Sequence, residues 1–147
     1  ARSNLMWAST MAENRIIKLG KACDFQVHQI EHQLGAYTNC NHGCGLAVIH
    51  PTYYRKIYQD GILKFVRFAT NVWKIPTEDK SADEIALEGI QALEKFIEKI
   101  GLPTTLRQLG MTEKDILSDI AASCNIAPGS YKAMTKDTIL EILIKCF

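Results

Sequence analysis

Residues 27–35 read VHQIEHQLG, a stretch that predicts an α-helix carrying two histidines. His28 and His32 are four residues apart, so on a helix they share one face, with Cβ atoms roughly 5–6 Å apart. His42 follows after a break at which the chain can turn back. Three of the four histidines therefore lie within one short span, in an arrangement typical of a metal site.

Most of the remaining chain also has helical periodicity, and convincing strand alternation is absent. The fold class predicted is all-α, with residues 1–147 forming one domain of about eight helices. Besides the histidine helix, helices are predicted over residues 4–19, from 42 to Pro51, from Pro51 through 57, and over 61–73, 85–100, 116–120 and 135–144.

Helix ends are marked by side chains that suit caps. Ser81 and Glu84 form a capping-box pattern, and Asp24, Thr112 with Asp115, and Thr135 are further candidate N-caps. Gly20 and Gly101 are candidate stops. Pro51 is expected to break or kink its helix and to open a new one, because proline lacks an amide proton and clashes one turn back.

Composition narrows the classes of function. The net charge is +1, which creates no field that would attract nucleic acid or an acidic membrane surface, so neither is expected as a partner. No apolar run approaches the roughly 20 residues of a membrane span. The five cysteines are odd in number, which favours reduced thiols and a cytoplasmic protein over a disulfide framework.

The histidines by themselves allow several interpretations. Zn²⁺ or Fe²⁺ accepts neutral imidazole, so the cluster can bind a metal between adjacent helices. Residues 28–32 also fit the His-x-x-Glu-His pattern of a class of zinc peptidases, with Glu31 as the base. Cys40 and Cys44 could join His42 in a structural zinc site, or the chain could be a helical binding module without catalytic histidines. His50 shares no face with the others and is not expected to be a ligand.

Five segments in order along the whole chain resemble the C-terminal helical domain of the iron-containing (group III) alcohol dehydrogenases, which have a dehydroquinate synthase-like fold. Within that family the chain looks most similar to the butanol dehydrogenase branch. The segments are 4–12 NLMWASTMA, 28–35 HQIEHQLG, 42–47 HGCGLA, 101–110 GLPTTLRQLG and 135–143 TKDTILEIL.

The resemblance implies roles for the histidines. The family holds its metal with one aspartate and three histidines, and the second and third histidine ligands match His28 and His42. His32 matches a histidine near the nicotinamide and substrate, to which catalysis or proton relay is attributed. Glu31 is expected to point off this face and to be structural. The implied cofactors are Fe²⁺ (or Zn²⁺) and NAD(P)H, with a small alcohol or aldehyde as substrate.

The resemblance also implies what lies outside this chain. No Gly-x-Gly-x-x-Gly motif occurs here, and the family's aspartate and first histidine ligand lie upstream of the matched segments. We therefore expect the C-terminal part of a longer enzyme, without its N-terminal nucleotide-binding domain and inactive by itself. The face towards that domain should be apolar and favour a homo-oligomer.

Overall fold

The computed structural model describes residues 1–129 and 131–147. These residues contain seven α-helices and three 3-10 helices, joined by turns and short loops. These residues contain no strand, which confirms the predicted all-α class. No helix among them is both long enough and apolar enough to cross a bilayer. The α-helices are α1 (Arg2–Glu13), α2 (Gln26–Thr38), α3 (His42–Ile57), α4 (Ile62–Val72), α5 (Ala82–Lys99), α6 (Ile116–Ser123) and α7 (Lys136–Cys146), and the 3-10 helices are Ile16–Lys18, Tyr58–Gly61 and Arg107–Leu109.

The hydrophobic core lies between α2, α3, α5, α6 and α7. Burying each large aliphatic side chain here contributes about 1.5–3 kcal/mol. Residues two positions apart on a helix point in directions about 200° apart. His28 and His32 therefore face away from the core side of α2, which carries Ile30 and Leu34. The fully buried members include Ile30 and Leu34 of α2, Ile49 and Tyr53 of α3, Ile90 of α5, Ile120 of α6 and Leu143 of α7.

The turn between α2 and α3 brings His42 back beside α2. Asn39 has a φ of 54°, a left-handed conformation that asparagine tolerates better than most residues. Asn41 then caps α3, because its side-chain oxygen accepts the N–H of Cys44 at 3.3 Å. His42 is the first residue of α3 and faces the neighbouring helix across a turn of three residues.

Pro51 lies inside α3, which runs without a break from His42 to Ile57. The predicted end of one helix and start of another at this position are therefore wrong. A proline inside a helix costs about 3 kcal/mol. Burial of the residues around it offsets that cost, since Ile49 is 0% exposed and Tyr53 is 1% exposed.

The first helix is shorter than predicted. It ends at Glu13 instead of residue 19, and Arg15, with a φ of 69°, separates it from the 3-10 helix Ile16–Lys18. None of the residues of α1 is buried, so no core contact extends the helix past this point. Leu5, Met6 and Trp7 of this helix are 67–74% exposed.

Most of the predicted caps are present. Ser81 and Glu84 form the reciprocal capping box, and Thr135 accepts the N–H of Thr138 at 3.2 Å. Asp24 accepts the N–H of Gln26 at 3.1 Å, although Phe25 holds the cap position. The predicted Asp115 cap is wrong: its backbone is already helical, with φ −61° and ψ −34°, and its side chain makes no capping bond.

Candidate metal centre

Three histidines from two helices meet at the surface where α2 packs against α3. One ring nitrogen from each of His28, His32 and His42 lies within 4.8 Å of the other two. The ring of His42 is 5.3 Å from that of His28 and 5.4 Å from that of His32, between ring centroids. The structure thus brings together all three histidines that the sequence singled out.

The ring nitrogens of His28 and His42 have a spacing that one metal ion can bridge. The Nδ1 atom of His28 lies 3.3 Å from the Nε2 atom of His42. Two nitrogens bound to one tetrahedral Zn²⁺ at about 2.0–2.1 Å are separated by about 3.3–3.4 Å. The donor set and its spacing therefore fit a divalent metal.

The environment of His28 keeps its imidazole neutral. The residue is half-buried, and this burial, together with the neighbouring His42 and His50, lowers the pKa of His28 below its usual value. Phe25 stacks on the ring with centroids 4.2 Å apart. A metal ligand must be the neutral imidazole, so His28 is in the binding form at neutral pH. His32 and His42 are more exposed.

The contact of Glu31 with His42 is the feature of the site that the sequence did not predict. Its carboxylate is buried, at 2% exposure, and Oε2 accepts a hydrogen bond from Nδ1 of His42. It therefore points into the α2–α3 interface and away from solvent, whereas the general base of a His-x-x-Glu-His peptidase must reach a water molecule beside the metal. The signal in the sequence was Gly45, which leaves room for the carboxylate on the facing helix.

The remaining candidate ligands lie outside the histidine cluster. Cys40 and Cys44 are not part of the group, so the geometry gives no support to a structural zinc site. His50 donates from Nδ1 to the carbonyl of Leu46 at 2.9 Å, and burial lowers its pKa. As expected, His50 is not one of the residues whose ring nitrogens all lie within 4.8 Å of one another.

A cavity of about 440 Å³ opens beside the cluster. Its size is that of a pocket for a small molecule. Sequence periodicity could not find it, because its walls come from distant segments. They include His28 and His50 together with the aromatic side chains of Phe25, Tyr54, Phe65 and Phe68.

Comparison with known proteins shows to which family the chain is related. The model of the C-terminal part of the Fe-containing alcohol dehydrogenase family matches residues 1–147. The chain is 38% identical to NADH-dependent butanol dehydrogenase A of Clostridium acetobutylicum, over 100% of this chain and 39% of the relative. It is 32% identical to the NADPH-dependent aldehyde reductase YqhD of Escherichia coli, over 78% of this chain and 29% of that protein.

Solved structures agree with the sequence comparison. The butanol dehydrogenase A of Thermotoga maritima superposes with a TM-score of 0.88 at 27% identity, covering 99% of this chain and 38% of that one. The substrate- and cofactor-free aldehyde reductase YqhD of E. coli gives a TM-score of 0.90 at 27% identity, over 99% of this chain and 39% of that one. The chain spans about two fifths of the length of these relatives. It belongs to the iron-containing alcohol dehydrogenase family and corresponds to the C-terminal part of its members.

Proposed function

We propose that residues 1–147 act as one metal-binding helical domain of an NAD(P)-linked alcohol dehydrogenase or aldehyde reductase. The observation that carries this proposal is the pair of nitrogens 3.3 Å apart on His28 and His42. Membership of the family supports the reaction class, and relatives named as butanol dehydrogenases and an aldehyde reductase support a small alcohol or aldehyde as substrate.

His28 and His42 are the residues that would hold the metal, Fe²⁺ or Zn²⁺. When bound, the metal supplies a Lewis acid for the oxygen of the alcohol or aldehyde. The chain contributes two imidazoles fixed on two packed helices, which keeps the donors in place without reorganisation. Further ligands come from residues outside this chain.

His32 is the proposed catalytic residue. It lies one turn from His28 on the exposed side of the cluster, where it can take a proton from a substrate hydroxyl and release it to solvent. The cavity beside His28 is a suitable place for the carbon chain of the substrate, since aromatic side chains form part of its walls.

The proposal includes partners that the chain does not contain. Because the relatives are much longer, we propose that a nucleotide-binding domain supplies the NAD(P)H site. The exposed apolar residues of α1 favour a homo-oligomer. All five cysteines are in the described part of the chain and are free thiols, which supports a cytoplasmic location.

Titration of the metal-free chain with Zn²⁺, followed by calorimetry, tests the proposal. We expect one ion per chain, with binding lost in His28→Ala and in His42→Ala and retained in the control His50→Ala. The chain alone should produce no NAD(P)H from alcohols. A wild-type chain that binds no Zn²⁺ would favour the alternative of a helical binding module.

A further inference from the structure

We infer that Glu31 is a positioning residue, which holds His42 in the tautomer whose Nε2 faces His28 and the metal. The inference rests on the proposed function, because it assigns a role in the same site. Glu31 contacts His42, a proposed metal ligand, and is not itself proposed to bind the metal.

The carboxylate of Glu31 is buried and therefore needs a hydrogen-bond partner. Glu31 is 2% exposed, and an ionised carboxylate is expensive to bury unless it is paired or hydrogen-bonded. The partner is the Nδ1 atom of His42, the first residue of α3. The other carboxylate oxygen, Oε1, has the thiol of Cys40 at 3.9 Å, a much weaker contact.

The contact determines which nitrogen of His42 is free. A carboxylate oxygen accepts hydrogen bonds, so this contact assigns the donated proton to Nδ1 of His42. In the neutral ring Nε2 then has the lone pair, and this atom lies 3.3 Å from Nδ1 of His28. Carboxylate, histidine and metal arranged in this order orient the ring and raise the basicity of the ligand.

The facing helix is shaped to admit the carboxylate. A Cβ atom at Gly45 would lie 2.7 Å from Oε1 and 2.8 Å from Cγ of Glu31, so any other residue there would require the Glu31 side chain to shift. A Cβ at Gly35 would lie 3.5 Å from the same oxygen, at ordinary contact distance. The α2–α3 interface thus holds Glu31 tightly on the side of α3.

Zn²⁺ affinity of the folded chain, measured by competition with a chelator, tests the inference. Glu31→Gln and Glu31→Ala should weaken binding by about tenfold to a hundredfold, with the glutamine variant the milder of the two because its carbonyl still accepts from Nδ1. Ile30→Val is the matched control: it changes a fully buried neighbour on the same helix, so it should lower the midpoint of unfolding and leave Zn²⁺ affinity unchanged.

A second readout does not depend on metal. Nitrogen-15 spectra of the His42 ring in the metal-free chain, at mildly alkaline pH, should show the proton on Nδ1 in the wild type. In Glu31→Ala the ring should shift towards the Nε2–H tautomer that free histidine prefers. If the role of Glu31 were purely structural, replacing it would change neither the tautomer of His42 nor the Zn²⁺ affinity.

The two hypotheses fail in different ways. Equal Zn²⁺ affinity and an unchanged tautomer in all Glu31 variants, with binding still lost in His28→Ala and His42→Ala, would overturn the inference and leave the proposed function standing. If the wild type binds no Zn²⁺, the proposed function fails, while the spectra of the metal-free chain still decide whether Glu31 sets the tautomer of His42.

Discussion

Replacing Gly45 by alanine should destabilise the chain, although alanine is the better helix former. The new Cβ would meet Cγ of Glu31 at 2.8 Å and Oε1 at 2.7 Å. The side chain of Glu31 cannot move outwards without losing its bond to His42, since it is buried between two helices. Gly45→Ala therefore forces either the helices apart or the carboxylate off the histidine.

Gly43→Ala is the control that allows a magnitude to be worked out. Gly43 lies in the same first turn of α3, and its added Cβ would lie 3.4 Å from Oδ1 of Asn41, an ordinary contact. Both changes gain helix propensity, up to about 1 kcal/mol each. Overpacking costs typically about 1–3 kcal/mol, and it applies to Gly45 alone. The two variants should therefore differ in free energy of unfolding by about 1–3 kcal/mol.

Urea unfolding of the metal-free chains, followed by far-UV circular dichroism, measures this difference. Equal slopes against urea would show that only stability has changed. We expect Gly43→Ala to equal or exceed the wild type and Gly45→Ala to fall below it. Zn²⁺ affinity should fall in Gly45→Ala alone. Two variants of equal stability and affinity would refute the close approach of Glu31 and α3.

Three further outcomes are expected. Gln26→Leu should lower the free energy of unfolding in urea by roughly 1–3 kcal/mol, because the carbonyl of Lys132 and the N–H of Met134 lose their hydrogen-bond partner. Gln29→Leu loses one hydrogen bond at the surface and should cost less. Equal losses of stability in the two variants would contradict the role of Gln26. Burial lowers the pKa of His50, so below pH 6.5 the unfolded chain binds more protons than the folded one and stability should fall as the pH drops. In His50→Gln, the midpoint of thermal unfolding should therefore depend less on pH. The same pH dependence in both proteins would contradict this role of His50. Iodoacetamide should modify the exposed Cys23 first. Burial raises the pKa of Cys124 to about 11, so this thiol should react only when the chain unfolds. Peptide mass spectrometry measures both rates, and early labelling of Cys124 would be inconsistent with its burial.

The sequence was sufficient where the information is local. The i, i+4 spacing of His28 and His32 required only a helix, and the Ser81 capping box is a contact between residues three apart. Adding the break before His42 was enough to predict that a second helix returns to the first. These features depend on backbone geometry that a short segment determines by itself.

The sequence was insufficient where tertiary packing decides. Pro51 remains inside α3 because Ile49 and Tyr53 are buried on either side, which no local rule reveals. The contact between Glu31 and His42 depended on the rotation of α3 against α2 and on the space that Gly45 leaves. The end of α1 depended on which residues find core contacts, and none in that helix does.

The two proposed ligands lie close together along the chain, separated by 42 − 28 = 14 positions. Loop-closure entropy grows only as about (3/2)RT ln n, so bringing these histidines together costs little compared with joining distant segments. The α2–α3 hairpin therefore brings the two proposed ligands together at a small entropic cost, and a single loop of three residues is enough to do so.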